Sequence, residues 1–388
     1  MPNSNADRTH PPPPPQPSLS SLPDDIVLRC LVLVPRIYHL NISWVSKHLR
    51  SLVHSPELNA LRSILLPRSS SLHVCFEEIH GNGIDEEEHS TFHWFTLTST
   101  EEEYGFVLTP TPFPPHPNYG STTVVSVGSK IFFIGGSREP STDLWILDTR
   151  TGNMTQGPSM SVPRVHLQAA VGVIDGKIYI LGGGKFDEEF KVEVFDPESE
   201  TWELAGAEIV RKIPRSGSSV LEGKVYMVEY GEINVYNPRE GGGQRMVHMV
   251  SQRLSEDDGS KVKFTGMAYN VCVVEDVLFA FFIRTGLMWF DTKLNVWRKL
   301  IGRDGKELVI SRVRAMSEYD GRLVVFTYII PADVLRKSNA VDMKKDVQCM
   351  LVSLDRAGDK ICGTIDWSGI VATVPVWFNS RHCLAVSE

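Results

Sequence analysis

The chain has no long hydrophobic run and a deficit of positive charge. None of its apolar stretches approaches the ~18–20 consecutive residues that a membrane-spanning helix needs. Residues 1–20 are polar and proline-rich, which is not the pattern of a secretory signal peptide. With 39 basic against 47 acidic residues and a net charge of −8, the chain also lacks the basic surface that binds nucleic-acid phosphates. These absences predict a soluble intracellular protein, in the cytoplasm, the nucleus or both.

Cysteine is scarce and unpaired along the sequence. No two cysteines form a C-x-x-C pair, and each has apolar neighbours, which favours reduced, packed thiols over a disulfide or metal site. We therefore predict no cofactor and no metal. The six cysteines are Cys30, Cys75, Cys272, Cys349, Cys362 and Cys383.

What is present divides the 388 residues, 42% of them hydrophobic, into three parts. Residues 1–17 contain the tract Pro11–Pro15 and almost no apolar side chain, which predicts a disordered, proline-rich leader. Residues 18–66 have helical periodicity, and residues 71–388 consist of short apolar stretches separated by turns. The sequence thus predicts a mainly β protein preceded by a small three-helix module.

The helical module opens with Leu22-Pro23-Asp24-Asp25-Ile26. Pro23 suits the first turn of a helix, and the two aspartates then lie where the helix dipole favours anions. Ser55-Pro56-Glu57-Leu58 is typical of another helix start, with Ser55 as its cap. Three short helices cannot bury all the apolar side chains of this module among themselves, so a partner helix is expected.

These residues, together with Val45-Ser46-Lys47, resemble an F-box, the motif that docks onto Skp-type adaptors of cullin ubiquitin ligases. One departure is Leu49, where that family often has Trp or Phe; we expect the neighbouring Trp44 to fill part of that volume. A helical cap on the β domain is the alternative. The resemblance implies adaptor binding through Leu22, Pro23, Ile26, Val27, Leu31, Leu40 and Val45.

Beyond residue 120 the sequence repeats with a period of about 49 residues. A turn followed by an apolar strand recurs at residues 128, 176, 223, 276 and 321. The first two copies run into the glycine pairs 135–136 and 182–183, which fit crowded turns where a Cβ would clash. The later copies lack the pair. Each period holds about four strands and no helix, which predicts propeller blades.

A second landmark is a strand that ends in an acidic or amide residue, such as Asp196 or Asp291, with Trp202 or Trp297 six residues later. We expect each tryptophan to pack between neighbouring blades. Met154 holds that place after Asp148. In these details the pattern resembles the kelch repeat.

Five repeats leave three strands over, two within residues 72–97 and one at 382–386. Because an open ring would leave sheet edges unpaired, we predict that these strands form a sixth blade closed by the C-terminal strand. F-box plus kelch resembles the large plant family of F-box/kelch-repeat proteins. That resemblance implies a non-catalytic substrate receptor of an SCF-type E3 ligase, which binds a Skp-type adaptor, through it a cullin scaffold, and an unidentified target protein.

Two other functions stay open: a kelch interaction protein without ligase attachment, and a kelch-fold metalloenzyme. The second would need converging metal ligands, yet the twelve histidines are dispersed. Asp85-x-x-x-His89 only partly matches the iron motif of plant kelch specifier proteins, because Gly81 stands in place of Glu. For target binding, Arg164, Arg215 and Arg314 each precede the inner strand of a repeat, at offsets of 12, 8 and 7 from the next turn glycine. Converging arginines would favour an acidic or phosphorylated peptide.

Overall fold

The structure is a computed structural model in two compact units, Met1–Pro67 and Arg68–Glu388. The predicted leader, residues 1–17, lies outside the described residues. No helix in the described part of the chain is long and apolar enough to cross a membrane. The structure describes residues 22–34, 42–53, 55, 57–58, 61, 70–80, 89–100, 105–115, 123–136, 139–165, 169–184, 191–207, 217–240, 245–255, 259–308, 310, 312–330, 343–358 and 360–387.

Two described helices form the N-terminal unit, α1 (Asp24–Leu33) and α2 (Lys47–Val53). Helix α1 begins one residue later than expected. Pro23 takes the N-cap position with φ −57° and ψ 145°, and its carbonyl accepts from the Ile26 and Val27 amides at 3.0 and 3.1 Å. Asp24 and Asp25 occupy the first turn, as predicted.

Serine caps explain the other two helix starts of this unit. The Leu49 amide donates to Ser46 Oγ at 3.1 Å, which satisfies an N–H at the start of α2. The Leu58 amide donates to Ser55 Oγ at 3.2 Å, so Ser55 caps the start of the predicted third helix in the same way. Buried apolar residues of all three segments form one cluster: Val27, Leu31, Val32, Leu49, Leu52, Val53 and Leu58.

The second unit is a six-bladed β-propeller, which confirms the predicted fold class. Each blade is built on four antiparallel strands, and the innermost strands lie around the centre of the ring. Blade 1 joins the C-terminal strand to the first three, and the other blades follow in chain order. The strands of blades 1–3 are β1 (Ser70–His80), β2 (His89–Thr100) and β3 (Gly105–Pro110); β4 (Thr123–Val127), β5 (Lys130–Ile134), β6 (Leu144–Asp148) and β7 (Asn153–Gln156); β8 (Ala169–Ile174), β9 (Lys177–Gly182), β10 (Lys191–Asp196) and β11 (Thr201–Ala207).

Blade 4 has four strands, whereas blades 5 and 6 carry extra strands at their outer edges. Blade 5 adds β16 and β17, and blade 6 adds β22. The strands are β12 (Gly217–Leu221), β13 (Lys224–Val228), β14 (Glu232–Tyr236) and β15 (Met246–Val250); β16 (Gln252–Leu254), β17 (Lys261–Lys263), β18 (Ala268–Val274), β19 (Val277–Phe282), β20 (Gly286–Asp291) and β21 (Val296–Lys299); β22 (Ile301–Gly302), β23 (Val313–Tyr319), β24 (Arg322–Ile329), β25 (Lys344–Ala357), β26 (Lys360–Pro375) and, closing blade 1, β27 (Phe378–Ser387).

The C-terminal strand closes the ring as the innermost strand of blade 1. Strand β27 pairs with β1 in antiparallel register, with His73 opposite Leu384. The innermost strands contact one another in a complete circle, β4, β8, β12, β18, β23, β27 and back to β4. At the junction Ser126 Oγ donates to the Ala385 carbonyl at 2.7 Å. Every blade therefore has a neighbour on both faces.

Tryptophans seal the space between blades, as the repeat pattern predicted. Trp202 packs on Phe195 with ring centroids 4.8 Å apart, and its indole N–H donates to the Pro158 carbonyl of blade 2 at 2.8 Å. Trp297, fully buried, packs on Phe290 at 5.1 Å. Both rings cover their own blade's third strand and reach the preceding blade, so they bury apolar area across the widening gap.

The glycine pair of blade 2 contacts the segment that links it to blade 3. The Gly136 amide donates to the Arg164 carbonyl at 2.9 Å. A Cβ on Gly135, whose φ is +74°, would come within 2.6 Å of that carbonyl oxygen. A side chain at Gly135 would thus clash with backbone and adopt an unfavourable conformation. The crowded turns that the sequence predicted are present at this link.

Candidate functional site

Exposed apolar side chains lie on the helical unit. Because α1 and α2 turn their buried faces toward each other, the remaining apolar residues have no cover within the described part of the unit. Large exposed apolar residues are uncommon in such number on so small a surface. Their exposed fractions are Leu22 39%, Ile26 40%, Leu33 78%, Trp44 73% and Val45 73%.

The residues expected to bind the adaptor divide into two groups. Leu22, Ile26 and Val45 are exposed, and so is Pro23. Val27 and Leu31 are 0% and 2% exposed and lie in the core of the unit, so the expectation of direct contact is corrected for them: they hold α1 against α2. Leu40 lies outside the described residues.

Trp44 does not fill the space beside Leu49. Its side chain is 73% exposed, whereas Leu49 is buried in the cluster between α1 and α2. The expectation that Trp44 compensates for a smaller residue at position 49 is therefore wrong. Leucine packs there unaided, and the indole of Trp44 adds to the exposed apolar surface instead.

The propeller has two chemically different ends. At one end, which we call the entry end, each innermost strand begins and the chain turns from the second strand into the third. At the other end, which we call the hairpin end, a tight turn joins the innermost strand to the second strand. On the described part of blades 4–6, exposed apolar residues at the entry end are Tyr230 62%, Val250 54%, Met267 44%, Tyr269 55%, Ile283 62%, Ile329 42% and Ile330 38%. At the hairpin end, the described large apolar residues that are exposed are Val247, 47%, near the start of the outer strand of blade 4, and Leu294, 40%.

Two of these residues, Tyr230 and Ile283, occupy one structural position, which Tyr328 holds in blade 6. In each blade the second strand begins at a residue that pairs across the hairpin with the end of the innermost strand: Lys177 pairs with Ile174, Lys224 with Leu221 and Val277 with Val274. The shared position lies six residues after that first residue of the second strand. In blades 2 and 3 this position is the second glycine of the pair. In blades 4, 5 and 6 it is Tyr230, Ile283 and Tyr328. The repeats that lost the double glycine are thus the ones whose turns carry large side chains.

Basic side chains border this apolar surface. Arg314 places its guanidinium carbon 5.4 Å from the ring centroid of Tyr328, and the ammonium of Lys345 lies 3.7 Å from the same centroid. Burial lowers the pKa of Lys345 to about 8, with a smaller effect from Arg314, and burial raises the pKa of Tyr328 to about 12. Further exposed cations at the entry end of blades 5 and 6 are Arg284, Arg312 and Lys344.

Lys345 also holds blade 6 to the closing strand. Its ammonium donates to the Val376 carbonyl at 2.9 Å and to that of Phe378, and Tyr328 OH accepts from the Ser380 amide at 2.7 Å. These hydrogen bonds hold the backbone beneath the apolar surface and its bordering cations in place. Less conformational entropy is therefore lost when a partner binds there.

Arg164 is not part of that surface, and its predicted role in target binding is corrected. Its side chain is 0% exposed and donates to Glu193 Oε2 through Nη2 at 2.7 Å and to the Lys191 carbonyl at 2.9 Å. An arginine held this way joins blades 2 and 3 and cannot reach a ligand. Arg215 lies outside the described residues, whereas Arg314 is exposed at the entry end.

Sequence reasoning missed Tyr230, Ile283 and Met267. The available signal was the loss of the glycine pair in the third, fourth and fifth repeats, which frees that turn to carry a side chain. As for catalysis, no group of three or more His, Cys, Asp or Glu residues stands close enough to hold a metal ion within the described ranges.

Comparisons with known proteins match both units. The F-box domain profile matches residues 19–61, and the profile described as FKB95, Kelch-repeats domain, matches residues 94–372. A putative F-box/kelch-repeat protein of Arabidopsis thaliana is 42% identical over 385 residues, which covers 96% of this chain and 98% of that protein. Another F-box/kelch-repeat protein of the same plant is 37% identical over 388 residues, with 96% and 94% covered.

Proposed function

The chain belongs to the F-box/kelch-repeat protein family, and from this premise we propose that it is a substrate receptor of an SCF-type ubiquitin ligase. Its helical unit binds a Skp-type adaptor, and through the adaptor a cullin scaffold. Its propeller binds the target protein. The observation that carries the proposal is the pairing of an exposed apolar helical surface with a separate apolar and basic surface on the entry end of blades 4–6.

The adaptor-binding surface consists of Leu22, Pro23, Ile26 and Val45. Leu22 and Pro23 precede α1, Ile26 lies in its first turn, and Val45 precedes the cap of α2. A partner helix laid across these starts would bury side chains that are 39–73% exposed. Each central apolar contact is worth about 1–3 kcal/mol where it acts as a hot spot.

The target-binding surface consists of Tyr230, Met267, Ile283, Arg314 and Tyr328. Aromatic and arginine side chains dominate the energetics of protein interfaces. Its cations stand out on a chain whose net charge is −8, so electrostatic complementarity favours an acidic or phosphorylated segment of the target.

In this arrangement the receptor performs no bond chemistry. By holding adaptor and target on one chain it raises the effective concentration of the target near the ubiquitin-charged enzyme. Its contribution to the reaction is positioning, which needs two binding surfaces and no nucleophile, acid or metal.

The experiment that tests adaptor binding compares two valines. Val45→Asp changes an exposed residue of the helical unit, and Val250→Asp makes the same change at a 54% exposed residue of the propeller. We expect Val45→Asp to weaken binding of purified Skp-type adaptor at least tenfold, because a carboxylate would be desolvated in the interface. Val250→Asp serves as the control and should bind as the unmodified protein does.

The Leu22→Ala, Pro23→Ala double variant gives a second measurement of the same surface. Alanine keeps the Pro23 carbonyl that accepts from the Ile26 amide, so the helix start is retained while the apolar contacts are lost. Unchanged adaptor affinity in both this variant and Val45→Asp would contradict the ligase function and favour an interaction protein without ligase attachment.

A further inference from the structure

A cleft of about 560 Å³ lies between blades 3 and 4, near the hairpin end. Blade 3 lines it with Ile174, Lys177, Tyr179 and Leu204, and blade 4 with Tyr236 and Arg245, among others. Its volume is in the range of small-ligand sites. It lies away from the proposed target-binding surface, which is at the opposite end of the propeller.

The cleft coincides with a substitution at the tryptophan position of the repeat. In blade 3 Phe195 pairs with Trp202, and in blade 5 Phe290 pairs with Trp297. The corresponding pair in blade 4 is Tyr236 and Met246. The turn before Met246 is longer than in the other blades, so an offset of six residues does not find it. Met246 is therefore the blade 4 counterpart of the two tryptophans.

Blade 4 keeps a hydrogen bond to the preceding blade like the one that the indole makes in blade 3, but it has no indole ring at this position. Trp202 donates from its indole N–H to the carbonyl of Pro158 in the preceding blade at 2.8 Å. In blade 4 the guanidinium of Arg245 donates to the carbonyl of Ala205, also in the preceding blade. A methionine side chain lacks the width of an indole. Met246 packs in the same cluster as Tyr179, Ala205 and Tyr236, and these three residues line the cleft.

Blade 2 shows that methionine at this position does not by itself leave an open space. Met154 pairs with Leu147, yet it packs in a cluster that contains Trp94 and Phe113 of the preceding blade. Trp94 lies edge-on to Phe133 at 6.1 Å. The preceding blade thus supplies the aromatic bulk in that gap. In the gap between blades 3 and 4, Tyr179 and Tyr236, with centroids 6.2 Å apart, are the ring walls and Leu204 is 57% exposed.

We propose that this cleft is a binding site for an indole ring, which enters from outside and takes the place that the chain's own tryptophans take in blades 3 and 5. Aromatic rings favour tilted or edge-on contacts with rings such as those of Tyr179 and Tyr236. The Ala205 carbonyl, which already accepts from Arg245, lies on the same wall. The ring belongs either to a small aromatic compound or to a tryptophan of a bound polypeptide.

Titration with indole tests the site, followed by NMR of the full chain. We expect saturable binding to the unmodified protein. In Met246→Trp the chain fills the cleft itself, so indole binding should weaken at least tenfold while the melting temperature rises. The matched control is Met154→Trp, the same change at the same position of blade 2, which should leave indole binding unchanged.

Tyr179→Ala keeps the test decisive should Met246→Trp fail to fold, because it removes a half-buried wall and should weaken indole binding at least threefold. The proposal would be overturned if indole showed no saturable binding to the unmodified protein. It would also be overturned if indole bound Met246→Trp or Tyr179→Ala as tightly as it binds the unmodified protein. A blocked Gly-Trp-Gly peptide separates the two sources: binding tighter than that of indole assigns a polypeptide, and equal or weaker binding assigns a small compound.

Discussion

Arg164 and Glu193 form a buried ion pair in the wall between blades 2 and 3. Arg164 Nη2 lies 2.7 Å from Glu193 Oε2, and the two side chains are 0% and 2% exposed. The other carboxylate oxygen of Glu193 accepts from the amide and the hydroxyl of Ser161 at 2.7 and 2.6 Å. Both charges are therefore satisfied inside the protein, which is the condition under which a buried pair is tolerated.

Arg164→Met should destabilise the propeller by about 3–5 kcal/mol, because it leaves the Glu193 carboxylate buried without its cation. Urea unfolding followed by tryptophan fluorescence measures the change. The control is Arg239→Met, which breaks a pair with Asp175 whose side chains are 66% and 75% exposed and should change little. Equal effects of the two substitutions would show that the buried pair contributes no more than a surface one.

Removal of residues 381–388 should abolish cooperative folding of the propeller. Truncation after Ser380 deletes most of β27, exposes the paired edge of β1 and uncovers the flank of β4. An unpaired inner edge promotes aggregation, and light scattering with thermal unfolding would detect both effects. Ser126→Ala, which removes only the hydrogen bond to Ala385, should cost about 1 kcal/mol. An unchanged melting temperature after truncation would contradict ring closure.

Exchange of Tyr230 and Ile283 for glycine should remove target binding without unfolding the blades. Glycine occupies the same register position in blades 2 and 3, so the backbone of the turn accepts it. We expect proximity labelling, with the adaptor-binding surface disabled so that targets accumulate, to lose most of its labelled proteins. Leu294→Gly at the hairpin end is the control, and a labelling pattern shared by both variants would exclude this surface.

Stability should fall between pH 6.5 and about 4 because of His73. This histidine is 5% exposed and hydrogen-bonded to Thr96 Oγ1 at 2.9 Å; burial lowers its pKa from 6.5 to about 4. The unfolded chain takes up a proton in this range and the folded chain does not, so protonation favours unfolding by roughly 3 kcal/mol below pH 4.

The comparison of His73→Gln with the unmodified protein isolates that effect. Its stability should decline less steeply between pH 6.5 and 4, as measured by urea unfolding at several pH values. Above pH 7 the titration of His73 should cause no change in the free energy of unfolding with pH. Parallel profiles over the whole range would mean that His73 has the same pKa in the folded and the unfolded protein.

Local pattern was sufficient for the blades and for the helix starts. The recurring hairpin turns, the tryptophans at positions 202 and 297 and the serine cap at 55 depend on contacts within a few residues or on a repeated register, and both are visible in the sequence. The strand count likewise predicted that the C-terminal strand closes the ring, because an open edge is unfavourable.

Tertiary structure alone decided which side chains are available to a partner. Arg164 and Arg314 were both predicted to precede an inner strand. Arg164 does so but is buried against Glu193, whereas Arg314 is the second residue of β23 and is exposed beside Tyr328. Trp44 was expected to pack and is exposed, and Met246 was hidden by a longer turn. Exposure depends on which segments meet across blades, and those contacts join residues far apart in the chain, so periodicity determines the frame while the assembled ring determines its surfaces.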